Sequence, residues 1–169
     1  ESGEVLLSGR YLDDLKEGDW NSYYRDGTKK SEYSYAKNLL QGVTKKYFPN
    51  GNLAEIIPFE AGKLEGTFKA FFPSGQLQKS VEFNNDQENG AFSRFYEDGQ
   101  PEIIGAFAEG ELTGSWENFD NLGDLISKGE FQQGIRVGIW KEQIREVQGF
   151  YRVGEYVEGS KEGMWKVVD

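Results

Sequence analysis

A glycine followed two residues later by a bulky or β-branched side chain recurs seven times along this chain, at almost constant spacing. The glycines are Gly18, Gly42, Gly66, Gly90, Gly114, Gly138 and Gly163, so five intervals are 24 residues and the last is 25. The side chains two places on are Trp20, Thr44, Phe68, Phe92, Trp116, Trp140 and Trp165. A period of this size is the signature of a repeat array, in which each unit buries its apolar surface against its neighbours. The period also bears on function, because a residue repeated in every unit serves the architecture first.

Each unit reads as one β-hairpin. The first apolar segment runs from Gly18 to Tyr24 and meets Asp26-Gly27; the equivalents are Asn50-Gly51, Ser74-Gly75, Asp98-Gly99 and Leu122-Gly123. Asx-Gly between apolar runs predicts a two-residue type I′ turn, whose central residues both need positive φ. The second segment alternates with period two, as in Leu53, Glu55, Ile57 and Phe59. It closes each time on an aromatic ring: Tyr11, Tyr35, Phe59, Phe83, Phe107, Phe131 and Tyr156. A second loop, often with glycine, leads to the next repeat. No helical stripe outlasts one turn of chain.

The expected fold is therefore all-β: an elongated, twisted, single-layer antiparallel meander of about seven hairpins, each of about 24 residues. One array covers 1–169, with units starting near 18, 42, 66, 90, 114, 138 and 163 and a partial unit at 1–17. Fourteen strands are expected, the first near 5–11 and the last near 164–168. The unit from Gly138 has the extra residue and no Asx-Gly pair, which predicts an irregular turn within 143–148. In the partial unit, Ser2-Gly3 stands where a hairpin turn belongs.

A second set of glycines tracks the tryptophans. Gly9, Gly105, Gly129 and Gly154 each precede a tryptophan (Trp20, Trp116, Trp140, Trp165) by eleven residues, whereas Tyr33, Ile57 and Val81 stand eleven before Thr44, Phe68 and Phe92. If Tyr11 faces Gly18 in an antiparallel pair, Gly9 faces Trp20, and the ring covers bare backbone as in aromatic rescue. These eight residues are assigned a structural role.

The same parity assigns faces. Trp20, Tyr24, Tyr33, Tyr35, Phe48, Leu53, Ile57, Phe59, Phe68, Phe72, Val81 and Phe83 share one side, the expected core. The other side is polar apart from Tyr23, Tyr47, Phe71, Phe95 and Phe119, which recur at one position of five repeats. They predict a row of rings about 10 Å apart, flanked by Lys45, Lys69, Glu82, Arg94 and Glu117. An exposed aromatic row suits a peptide, a glycan chain or a protein partner, and these five are the candidate binding residues.

Charge narrows the partner. The net charge is −10, which disfavours nucleic acid and anionic membrane surfaces and favours a basic partner. Cysteine and histidine are both absent, which removes disulfides, thiol chemistry, the commonest general base and the commonest metal ligand. No phosphate-cradling loop, calcium-loop pattern or distinctive carboxylate pair stands out, so no catalytic residue, metal or cofactor is assigned. No apolar run reaches the length of a membrane-spanning helix. The only methionine is Met164, so the chain reads as a processed or trimmed fragment from which a leader could have been removed. An uncovered outer strand invites edge-to-edge pairing between copies, and trimming would expose one artificially.

Units such as Gly42-Val-Thr-Lys-Lys-Tyr-Phe-Pro-Asn-Gly51 and Gly66-Thr-Phe-Lys-Ala-Phe-Phe-Pro-Ser-Gly75 resemble the bacterial MORN-repeat variant, including its YwqK-like group. The resemblance runs over nearly the whole chain. It implies an antiparallel sheet used for interaction and without catalysis of its own. Members of that group are often labelled antitoxins, which would suit an acidic surface masking a basic toxin, but no toxin-binding residue carries over. The leading expectation is a non-enzymatic protein-interaction scaffold of antitoxin or immunity type. The alternative is an envelope or secreted module that binds glycan or peptide along the aromatic row. The first implies a cytoplasmic location, the second a removed leader.

Overall fold

The computed structural model describes residues 6–145 and 147–169. Every strand pairing among them is antiparallel, and no helix occurs among them. The chain divides into two compact units, Glu1–Gln87 and Glu88–Asp169. The first contains β1 (Leu7–Leu12), β2 (Leu15–Tyr23), β3 (Lys29–Ala36), β4 (Leu39–Leu40), β5 (Gly42–Tyr47), β6 (Leu53–Glu60), β7 (Lys63–Leu64), β8 (Gly66–Phe71) and β9 (Leu77–Asn84). To the second belong β10 (Gln87–Phe95), β11 (Pro101–Ala108), β12 (Glu111–Phe119), β13 (Leu125–Gln132), β14 (Ile135–Gln143), β15 (Tyr151–Val157) and β16 (Ser160–Val168). Within each unit the long strands follow chain order as a meander. The expected start at Val5 and the Ser2-Gly3 turn lie outside the described residues.

Among the described residues the strand count is sixteen instead of fourteen, because two strands break at the repeat glycine. Gly42 and Gly66 take φ of 76° and 102°, and the ladder is interrupted just before them, leaving the two-residue pieces β4 and β7. At Gly18, Gly114, Gly138 and Gly163 the strand runs through the glycine by way of a bulge. In β1–β2, Ser8 pairs Asn21 and Arg10 pairs Glu17, so Gly18, Asp19 and Trp20 stand against Gly9 alone. The same three-against-one bulge recurs at Gly105, Gly129 and Gly154. Register therefore differs from expectation: Tyr11 pairs Lys16, and Gly18 pairs Tyr35 on the following strand. Trp20 still lies over Gly9, because the bulge absorbs the two-residue slip.

The type I′ turn is not where Asx-Gly predicts it. At Asp26-Gly27 only Gly27 has positive φ, and Gly27 N–H donates to the Tyr24 carbonyl. With Tyr24 N–H donating to the Thr28 carbonyl, this is a type I turn closed by a glycine bulge, a three-residue loop. The Asx side chain is used differently: Asp26, Asn50 and Asp98 each accept from the N–H two residues on. The type I′ geometry sits at the opposite hairpin end, where both central residues have positive φ, as in Lys37-Asn38 (49°, 70°) and Glu109-Gly110 (52°, 83°). The irregular turn of the unit from Gly138 is closed by Ile144 N–H donating to the Phe150 carbonyl, and residue 146 of the expected segment 143–148 lies outside the described residues.

The core lies on the face that carries the tryptophans. In the second unit the rings form a continuous chain. Phe92 and Trp116 stack at 5.5 Å, and Trp116–Phe131, Phe131–Trp140, Trp140–Tyr156 and Tyr156–Trp165 meet edge to face at 5.9, 5.1, 5.8 and 5.5 Å. Each such pair adds about 0.5–1.5 kcal/mol beyond area burial. In the first unit the chain of rings is shorter, Tyr11–Trp20–Tyr35 at 4.9 and 6.1 Å, and the middle of the face is filled by Thr44, Ile57 and Val81.

Candidate functional site

A Cβ placed on Gly9, Gly105, Gly129 or Gly154 would fall inside the indole of Trp20, Trp116, Trp140 or Trp165, respectively. The rings thus lie directly on backbone. Trp140 is completely buried between Gly129, over which it lies, and Gly154, its ladder partner. Three of the indole N–H groups are satisfied: Trp20 donates to the Arg10 carbonyl, Trp116 to Asn118 Oδ1 and Trp140 to the Val137 carbonyl. Trp165 Nε1 is buried without an acceptor among the described residues.

A cation covers three of these rings. Lys16 Nζ lies 4.9 Å from the Trp20 ring, the Arg136 guanidinium 4.3 Å from Trp140, and Lys161 Nζ 4.2 Å from Trp165. All three occupy the position two before a repeat glycine, so the sequence signal is Lys/Arg-x-Gly-x-Trp, which the glycine pattern alone does not reveal. Arg136 and Lys161 are tied together by Glu142, whose Oε1 accepts from Arg136 at 2.9 Å and from the Tyr156 hydroxyl at 2.8 Å, and whose Oε2 accepts from Lys161 at 2.7 Å. Burial by itself pushes the Glu142 pKa up, but Lys161, Tyr156 and Arg136 together hold it below the ordinary value of 4.5.

The five candidate binding rings lie on the reverse face. Tyr23, Tyr47 and Phe71 belong to the first unit, Phe95 and Phe119 to the second, and all five are half-buried rather than exposed. Their cover is explained by register. A one-residue slip near the end of each hairpin sets Tyr47 opposite Leu53, Phe71 opposite Leu77, Phe95 opposite Pro101 and Phe119 opposite Leu125. Partners across an antiparallel ladder share a face, so Leu53 belongs with Tyr47 and not with Ile57. Tyr24 and Tyr96 reinforce the same end, their hydroxyls donating to the carbonyls of Tyr47 and Phe119 at 2.8 and 2.9 Å.

Tyr47 also joins a charged group. Its phenol hydrogen-bonds Glu32, which accepts from Lys29 at 2.6 Å and lies 3.9 Å from Lys45. The Lys29 hydrogen bond holds the Glu32 carboxyl below its ordinary range, while desolvation raises the Tyr47 phenol. Glu32 is thereby kept charged and Tyr47 protonated, an arrangement suited to positioning and not to proton transfer. Among the described residues, no three Asp or Glu side chains converge to hold a metal ion.

The reverse face is less polar than expected. Ile104, Ile135, Ile139, Val157 and Met164 are all exposed there in the second unit. Ile139 and Met164, 64% and 77% exposed, directly follow repeat glycines and ride on the bulges.

The MORN repeat variant matches three consecutive stretches, residues 16–37, 40–61 and 64–85, all within the first unit. The same hairpin, bulge and turn geometry continues through the second unit beyond those matches. A search of curated proteins gave no match.

Proposed function

We propose that this chain is a non-enzymatic scaffold that binds a basic protein partner. The observation that carries this reading is an acidic antiparallel hairpin array with a broad, partly apolar reverse face. MORN repeats are generally associated with protein or membrane interaction, and three of these hairpins match that repeat. The net charge of −10 favours the protein over the anionic membrane. An antitoxin or immunity role is one form of this reading, in which the acidic surface masks a basic toxin. The ionised groups described above are neutralised within internal clusters, which is why we assign no catalytic role to them.

Affinity purification of the tagged chain from its native host, with cross-linking, tests the reading. A stoichiometric basic protein is the expected result. Recovery of no protein, together with glycan-array binding abolished by Tyr47→Ala and Phe71→Ala, would replace it with carbohydrate binding. The half-buried state of those rings weighs for the protein partner, since a stacking platform needs open ring faces.

A further inference from the structure

We infer that the reverse face of β13–β16 docks a basic amphipathic helix of the partner, an inference that rests on the scaffold reading and gives it a location. The apolar part is Ile135, Ile139, Val157 and Met164, exposed by 47%, 64%, 47% and 77%. The bulges after Gly138 and Gly163 set Ile139 and Met164 on β14 and β16, either side of Glu155. Two strand spacings separate them by about 10 Å. An α-helix laid across the strands brings residues i and i+7 to about 10.5 Å.

Charge selects the occupant. Glu130, Glu155 and Glu162 share this face, are exposed, and have no hydrogen-bonding or ionic partner among the described residues. Glu155 and Glu162 are direct ladder partners, a like-charge pairing that destabilises a sheet until a cation stands between them. The cations of the face stand in the adjoining row of the ladder, and two are engaged: Lys128 with Glu117 at 2.5 Å, Lys141 at 3.9 Å over the Tyr151 ring. Lys166, opposite Val153 and two residues from Met164, completes that row, so three carboxylates without partners face one such cation among the described residues. Ionic demand around Ile139 and Met164 is therefore for positive charge, and the surface between is apolar. A helix with Leu on one side and Lys or Arg flanking it satisfies both.

The probe is a synthetic 18-residue Leu/Lys amphipathic helix, titrated into the full chain and followed by amide NMR and calorimetry, with a Ser/Lys peptide of equal charge beside it. The expected result is a footprint at Ile139, Glu155 and Met164, with the Leu/Lys peptide binding about tenfold more tightly than the Ser/Lys one. Glu130→Gln/Glu155→Gln/Glu162→Gln and, separately, Ile139→Asp/Met164→Asp should each weaken it about tenfold. A charge-matched control, Asp13→Asn/Glu60→Gln/Glu109→Gln, should change it by no more than about threefold. A footprint on the Tyr23, Tyr47 and Phe71 side overturns this location and leaves the scaffold reading standing. Equal binding of both peptides, or no binding, overturns the helix-docking inference, whereas the affinity purification separately decides the scaffold reading. A dimer in sedimentation that Ile139→Asp/Met164→Asp dissolves would also overturn it, by assigning the face to a second copy.

Discussion

Two glycine positions separated by nine residues fail for different reasons when substituted. At Gly129 the backbone is ordinary and the space is taken, because a Cβ would enter the Trp140 ring, and that ring is fully buried. Gly138 has empty space around it and φ of 65°, so a side chain there meets only conformational strain. Gly129→Ala should destabilise by about 1–3 kcal/mol through overpacking. For Gly138→Ala the expectation is about 1–2 kcal/mol from the left-handed backbone alone. Urea denaturation of each, with near-ultraviolet circular dichroism to report the indole environment, separates the two: only Gly129→Ala should perturb the aromatic signal. Gly9→Val should cost about 1–3 kcal/mol, and a loss below about 0.5 would refute the Gly9–Trp20 contact. The size match between the glycines and tryptophans is legible in the sequence because both residues are extremes of volume. The cations over the rings are not, because Lys16, Arg136 and Lys161 look like ordinary surface charges until the bulge folds them back. Glu142 gives a further test. Its folded-state pKa lies below the ordinary 4.5, so its stabilisation is full above that value and is lost as pH falls through the lower one. Glu142→Gln should lower the urea midpoint at pH 7, and the gap from the parent chain should close as pH falls below 4.5.

At the scale of the hairpin, the two ends are built by different rules. The type I′ ends are laced together: the N–H groups of Gly62, Asp86, Gly110, Gly134 and Gly159 donate to the carbonyls of Leu40, Leu64, Glu88, Leu112 and Arg136 in the preceding turn region. In the first unit a side chain adds to the lacing, since Glu17, Gln41 and Glu65 accept from the N–H groups of Lys37, Ala61 and Asn85. Removing one such bond, as in Glu65→Ala, should cost about 0.5–1.5 kcal/mol and speed amide exchange at Asn85 before it affects β8 and β9. The sequence announced both turns and placed the type I′ geometry at the wrong one. Asx-Gly has two uses, as the pair of a type I′ turn or as a side-chain cap followed by a bulge glycine. Only the bond from the residue two beyond, such as Asn52 N–H to Asn50 Oδ1, decides between them. The aromatic row was read correctly as a recurrence, but its exposure was not. The slips that bring Leu53, Leu77, Pro101 and Leu125 opposite the rings change parity at a point where simple alternation assumes none.

For the molecule as a whole, composition carries most of what bears on partners. A net charge of −10 predicts that association with a basic partner slows steeply as salt rises, while dissociation changes little. Stopped-flow binding at 50 and 500 mM salt would show it; a salt-independent on-rate would argue that the acidity serves solubility alone. Repeat periodicity predicted the all-β hairpin architecture because it is a property of spacing, which survives substitution of individual residues. It left the division into two compact units unseen, since the glycine interval of 24 residues crosses that boundary unchanged.

The lacing of the type I′ ends has a consequence for how such a chain changes length. A residue inserted there would pull a donor out of line with its acceptor in the preceding turn region, so those ends are closed to insertion. Across from them, the backbone bonds close each loop on itself, as at Gly51 and Phe48, or at Ile144 and Phe150, and the ties to the neighbouring hairpin come from side chains such as Tyr24 and Asn52. The single extra residue of the array falls in the unit containing the 144–150 loop. Within each unit, new sequence, whether acquired by evolution or grafted by an engineer, is accepted at the tips of these loops and not at the laced ends.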